Sequence, residues 1–298
     1  MDESRRGSWY GVAAYLLWGL FPLYWTLLKP AGSLEILGHR IVWSLVFTAA
    51  IVFVRRQWPS VRAAVSTRRT ALILLGAAVL ISINWGIYIY GVNSGQVVET
   101  SLGYFINPLV SVALGVVAFG ERLRAIQWVA VGVAALAVAV LTVDYGRPPF
   151  IALALAFSFG FYGLLKKLAP VGATQGLVIE SAVIAVPALG MLVLLHAQGE
   201  AAFGGVSTVH TALMVFTGVV TAVPLMFFAA AARRVQLTTI GLLQYLAPTM
   251  QFALGLLVFH EPMPASRLAG FALVWLALAV FTADLIRRNR RELVAPTT

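Results

Sequence analysis

The sequence predicts an all-α membrane protein of ten transmembrane helices, arranged as two inverted five-helix repeats. Three observations carry this. Of 298 residues, 60% are apolar and only 11% charged, with a mean hydropathy of +0.90; an average soluble domain carries roughly 25% charge. Ten apolar stretches each approach the ~20 residues that cross a bilayer. The second half of the chain also repeats part of the first.

The stretches fall at about 8–28, 36–54, 70–91, 97–119, 125–143, 149–166, 174–195, 210–231, 237–259 and 266–286. Lys29-Pro30-Ala31-Gly32, Asn93-Ser94-Gly95, Gly146-Arg147-Pro148-Pro149 and Pro262-Met263-Pro264 punctuate the gaps between them. The longest gaps, 55–69 and 196–209, hold no soluble domain. The runs are continuous rather than alternating, which excludes a membrane β-barrel. The first stretch, with Trp9, Trp18, Pro22 and Trp25 and no small-residue cleavage site, is expected to be retained rather than cleaved.

Orientation follows from the basic residues. With the N-terminus inside, 17 Lys and Arg fall on the inner side, three (Lys29, Arg147, Arg267) on the outer side, and one, Arg40, inside a span. An even number of spans then leaves both termini cytoplasmic. The same distribution accounts for the net charge of +10 as a fringe against lipid headgroups, so nucleic acid is not an expected partner.

Residues 102–144 match 242–284 without gaps, with 14 identities in 43 positions, among them Pro108/Pro248, Gly115/Gly255, Glu121/Glu261, Thr142/Thr282 and Asp144/Asp284. The expected units are 7–144 and 149–286. Five spans per unit is odd, so the second unit begins on the opposite side of the membrane. Inverted repeats of this kind build secondary transporters with a midplane site between them.

Within this frame the run 18–25 (WGLFPLYW), the run 35–44 (EILGHRIVWS), Asn84-Trp85, Tyr88 and the run 99–109 (ETSLGYFINPL) resemble the RarD-type permeases of the EamA branch of the drug/metabolite transporter superfamily. Glu121-Arg122-Leu123 and Gln127-Trp128 continue the likeness; Glu180, Pro187 and 244–248 extend it more weakly into the second half. The resemblance implies ten helices in a bacterial inner membrane, both termini inside, and export or uptake of small organic solutes, of which export is the expected direction.

Polar residues inside spans mark the expected site. A central charge costs about 2.5–3.5 kcal/mol on insertion scales, so each needs a partner or a wet cavity. Arg40 lies about five residues, roughly 7 Å, from the outer end of its helix; it either snorkels or faces the cavity, with Glu99 or Glu35 as its natural partner. His39, Glu99 and Glu180 are the expected coupling or gating groups. Glu180 either carries a coupled proton or pairs with Lys166 or Lys167. Glu121 and Glu261 are expected to bond backbone or a loop arginine. Tyr104, Asn107 and Ser111 share one helix face, and the repeat sets Gln244 and Gln251 opposite Tyr104 and Ser111. Trp18, Asn84 and Tyr88 complete the expected substrate-binding set, with Pro108 and Pro248 bending the two striped helices. Trp9, Tyr10, Trp58 and Trp128 are expected at the membrane interfaces.

No GxxxxGK[ST], HExxH or GxSxG occurs, and there is no cysteine. No catalytic residue, metal or cofactor is expected. A membrane-embedded lipid enzyme or an uncoupled facilitator is the rival class. Monomer and homodimer both fit the sequence.

Overall fold

A computed structural model describes residues 3–120, 125–169, 171–232, 234–235 and 243–294, the side chains of Ser4, Val112, Phe119, Lys167, Ala173, Ala229, Ala232 and 285–294 excepted. Expectations on Glu121, Arg122 and Arg124, on Arg233, on residues 237–242 of the ninth stretch and on the side chain of Lys167 lie outside the described residues.

The described residues form twelve helices and no strand. These are α1 (Glu3–Gly19), α2 (Phe21–Leu27), α3 (Ser33–Val54), α4 (Trp58–Ala64), α5 (Arg68–Asn93), α6 (Val97–Phe119), α7 (Ala125–Tyr145), α8 (Phe150–Leu168), α9 (Ala173–Ala197), α10 (Thr208–Ala232), α11 (Leu246–Leu257) and α12 (Ala265–Val294). Seven of them, α3, α5, α6, α7, α9, α10 and α12, are long and apolar enough to cross a membrane; α8 and α11 are apolar and shorter. Side chains such as Val117, Val143, Val54 and Val186 stand more than three-quarters exposed along these helices. Water does not tolerate so much apolar surface on one chain, and lipid does.

Two expected spans differ from continuous helices. The first breaks at Leu20. Pro22 enters the first turn of α2 and brings no N–H for the carbonyl four residues back, that of Trp18. The short segment Phe21–Leu27 forms a separate helix after this break. In the ninth, the described residues turn at Gln244-Tyr245 before α11 begins at Leu246. Pro248 accordingly sits in the first turn, where a missing N–H costs little, and not in mid-helix as Pro108 does. The gap 55–69 also holds α4, which the sequence reading leaves as a loop.

Small residues set how closely the helices pack. Ala130, Ala134, Ala137 and Leu141 follow 4-3-4 spacing along α7 and bury one face against Phe271, Val274 and Ala277 of α12. Gly103 brings α6 so near α8 that an added Cβ would stand 2.8 Å from the Ala152 carbonyl. Gly218 of α10 lies against the backbone of Trp43 and Ser44 in α3 in the same manner. Such contacts replace the hydrophobic drive that helices lack within lipid.

The packing partners form a regular network. Helix α3 lies against α9, α10 and α5; α6 lies against α8 and α11; α5 also meets α8 and α9; α1 meets α10 and α11; α7 meets chiefly α12.

Candidate functional site

The break after α1 turns Phe21 and Trp25 inward, toward the middle of α3. There they meet Trp85 of α5 around the guanidinium of Arg40. Its central carbon lies 4.1 Å from the Trp85 ring centroid, 5.0 Å from Trp25 and 5.7 Å from Phe21. Arg40 is 96% buried, and its Nε and Nη1 have no hydrogen-bond partner. Three ring faces at about 1–2 kcal/mol each, when desolvated, are comparable with the cost of placing the charge there. They hold the cation without bonding its N–H groups.

Neither expected partner reaches it. Glu99, at the start of α6, pairs with Arg147 at 2.8 Å and accepts from the Ile151 amide at 3.0 Å, capping α8. Glu35, at the start of α3, accepts from the Ala202 and Phe203 amides at 3.1 and 2.9 Å. Both carboxylates go to bare amide donors, Glu99 at a helix start and Glu35 in a loop, a demand that spacing in sequence does not reveal.

Beside the cage, Tyr88 and Tyr104 meet edge to face at 5.6 Å, and both lie within electrostatic reach of Arg40. The buried Tyr88 hydroxyl and Trp25 Nε1 have no hydrogen-bond partner. Asn84 donates to the Leu155 carbonyl and to Ser158 Oγ, each at 3.0 Å, and its Oδ1 receives the Tyr104 hydroxyl at 3.4 Å. Thus Arg40, Asn84, Tyr88 and Tyr104 come together between α3, α5 and α6.

The remaining expected residues make other contacts, Trp18 while packing against the cluster that holds Trp25 and Tyr88. Gln251 donates Nε2 to the Trp18 carbonyl at 3.0 Å, the same carbonyl that Pro22 leaves free. The Trp18 ring packs on Tyr15 and on Phe228 of α10. Gln244 is half-buried beside Tyr245, just before α11. Asn107 is half-buried with an unpaired Oδ1, and Ser111 is exposed. Tyr104 is thus engaged with Asn84, and Gln251 with the Trp18 carbonyl, in this conformation. An apolar groove of about 370 Å³ lies along Leu45, Trp58, Val61 and Val178.

His39 accepts from Trp43 Nε1 at 3.2 Å and stacks on Phe203 at 4.2 Å, as a packed histidine does. Glu180 takes the ion pair of its two readings: Lys166 Nζ lies at 2.7 Å and the Tyr162 hydroxyl at 3.1 Å. Glu261 receives the Val97 and Val98 amides at 2.5 and 3.0 Å, capping α6; burial pushes its carboxyl up and these amides pull it back. Trp9, Tyr10, Trp58 and Trp128 are all exposed.

One end of the bundle, carrying the loops at 28–33, 94–96, 146–149 and 198–207, is tied across by Glu35, Glu99 and Glu261. His210 Nε2 adds a bond to the Leu28 carbonyl at 2.8 Å, Tyr24 donates to the Leu213 carbonyl at 2.5 Å, and Arg267 meets Asp144 at 2.8 Å. The cage lies beneath this closed end. Among the described residues no group of three or more His, Cys, Asp or Glu gathers as metal ligands would.

A helical bundle clad in apolar side chains, with a buried charged cage and polar ties at one end, defines a multi-pass membrane protein built around an internal site. Comparison with known proteins gives the family. The EamA-like transporter family model matches residues 5–143. Protein RarD of Streptomyces exfoliatus is 52% identical, over 99% of this chain and 96% of that one. Protein RarD of Escherichia coli is 39% identical, over 97% and 98%, and the uncharacterized transporter YojE of Bacillus subtilis 43%, over 97% of both. A crystal structure 18% identical superposes with a TM-score of 0.60 over 95% of this chain and 98% of that one, a likeness of fold. The chain belongs to the RarD proteins of the EamA-like transporter family: it is a membrane transporter and not an enzyme.

Proposed function

We propose that the protein is a secondary-active exporter of small organic solutes in the bacterial cytoplasmic membrane. In this reading it has ten spans, both termini inside, and repeats at 7–144 and 149–286 that rock against each other. The spans are α1 with α2, then α3, α5, α6, α7, α8, α9, α10, α11 and α12.

The observation that carries this is how the packing partners exchange. Swapping first-repeat helices for their second-repeat counterparts converts α6–α8 into α11–α1, α5–α8 into α10–α1, and α3–α10 into α9–α5; α3–α9, α6–α11 and α7–α12 map onto themselves. All of these contacts are present. The 140-residue interval also sets Arg40 on α3 opposite Glu180 on α9, each near the start of its helix, as inverted copies require. The family match over 5–143 coincides with the first repeat.

The tied end is then the outer one. Its bonds cross between repeats, so opening outward must break them, while the solute enters from the cytoplasmic side to the Arg40 cage. Among the described residues the inner end is crossed by Gln57–Gln175 and Glu3–Arg234. Export in this sense is alternating access.

The test is solute counterflow in proteoliposomes, with and without a pH gradient. A transporter shows saturable uptake accelerated by unlabelled solute on the far side. Linear, unaccelerated passage would identify an uncoupled facilitator and overturn the reading.

A further inference from the structure

The geometry points to an organic anion with a planar apolar body, an aryl carboxylate in its simplest form, as the solute class that the Arg40 cage takes; this rests on the cage being the solute site. What the cage lacks is specific. Arg40 Nε and Nη1 and Trp25 Nε1 are N–H donors without acceptors, and the Tyr88 hydroxyl has no partner either. All are buried. The neighbouring acceptors are committed: Glu35 to the Ala202 and Phe203 amides, Glu99 to Arg147 and Ile151, and Asn84 Oδ1 to Tyr104.

The site is thus rich in donors, short of acceptors and singly positive. A carboxylate reverses each of these properties. It accepts at both oxygens, it can take two parallel bonds from a guanidinium, and it brings one negative charge. A neutral amide of the same shape brings one acceptor and two superfluous donors. An amine adds like charge. The walls select the rest of the solute. Phe21, Trp25 and Trp85 present ring faces around the guanidinium, and Tyr104 stands edge-on to Tyr88. A flat apolar body replaces a ring contact at little cost, whereas a strongly hydrated inorganic ion must shed water against an apolar wall.

The experiment is a titration of tryptophan fluorescence with full-length protein in lipid nanodiscs, since Trp25 and Trp85 flank the guanidinium. The probes are benzoate, phenylacetate and indole-3-acetate, with phenylacetamide as the neutral isostere and chloride and phosphate at matched ionic strength. At least one carboxylate is expected to give a saturable change, with phenylacetamide and the inorganic ions at least about tenfold weaker, the scale of one lost charge-assisted bond. Arg40→Gln should abolish the preference of carboxylate over amide. Tyr88→Phe keeps the ring and should weaken the carboxylate about threefold or more. If Arg40→Gln is not recovered folded, Arg40→Lys and Tyr88→Phe decide the matter, Lys losing the paired geometry and binding more weakly than Arg.

No saturable response to any carboxylate, equal binding of the amide, equal binding of inorganic anions, or a carboxylate preference that survives in Arg40→Gln would each overturn the assignment. Failure of the transport reading is separable from it. Carboxylate binding lost in Arg40→Gln but without counterflow would leave the site standing and remove transport through it. Counterflow of neutral solutes without carboxylate preference would do the reverse.

Discussion

Arg40 keeps its charge inside a membrane protein with ring faces for company and no carboxylate. Two single-residue consequences follow. Arg40→Gln removes the charge the solute meets while keeping a polar chain of similar reach, so counterflow should fall by about tenfold or more while insertion and monodispersity persist; initial rates in proteoliposomes read this. Gln251→Leu strands the Trp18 carbonyl and should destabilise the fold by about 1 kcal/mol. Pro22→Ala restores the N–H which that carbonyl lacks, so Gln251→Leu should cost less in the Pro22→Ala background. A double-mutant cycle on unfolding in detergent measures the difference. The sequence alone placed Arg40, Asn84, Tyr88 and Tyr104 in one neighbourhood, because a buried charge and polar residues in apolar spans have few places to go. A continuous helix over 8–28 sets Trp18 and Trp25 on one face; across the break at Leu20, Trp25 meets the guanidinium and Trp18 packs against the buried cluster that holds Trp25. The sequence offers Glu99 or Glu35 as partners for Arg40, because it cannot weigh bare amides at the loops and the start of α8 against the guanidinium.

At the scale of the helix, ends and close approaches decide more than composition does. Glu261, from the segment before α12, satisfies two amides at the start of α6. Replacing it by Ala leaves both donors bare and should lower stability by about 1–2 kcal/mol; Glu261→Gln keeps an acceptor and should recover part of that. Gly218 has the backbone of α3 against it. Gly218→Val must push α10 from α3, so the variant should be recovered at low yield or with a clearly lowered unfolding temperature, a cost of overpacking of about 1–3 kcal/mol. Most of the helices were legible because runs of about 20 apolar residues have one solution in lipid. The short α4 and the turn at Gln244-Tyr245 were not. Trp58-Pro59 gives only a weak local signal for a helix start, and an apolar run around Pro248 reads as a span whether or not its first turns are helical.

For the whole molecule, the apolar cladding, the exchange of packing partners and the closed end form one picture. In the proposed reading the two units recur as inverted copies, and the charged cage lies within the first, between α2, α3, α5 and α6. Ties between units gather at the end that the basic residues assign to the outside. The chain has no cysteine, so single cysteines report topology cleanly. A cysteine at Arg62 should stay unlabelled by an impermeant thiol reagent in intact cells and label once the membrane is opened, whereas one at Lys29 should label in intact cells.

The central claim is that solute passes only if the outer end opens by separation of the repeats. Glu35 and Phe203 lie across that division, above Arg40 and His39, joined by a 2.9 Å bond. Cysteines at these two positions, bridged by a short cleavable crosslinker, lock the end shut. Counterflow should cease while the bridge is intact and return when it is cleaved, with the unbridged double variant as reference. Undiminished counterflow through the bridged protein would contradict alternating access by this route.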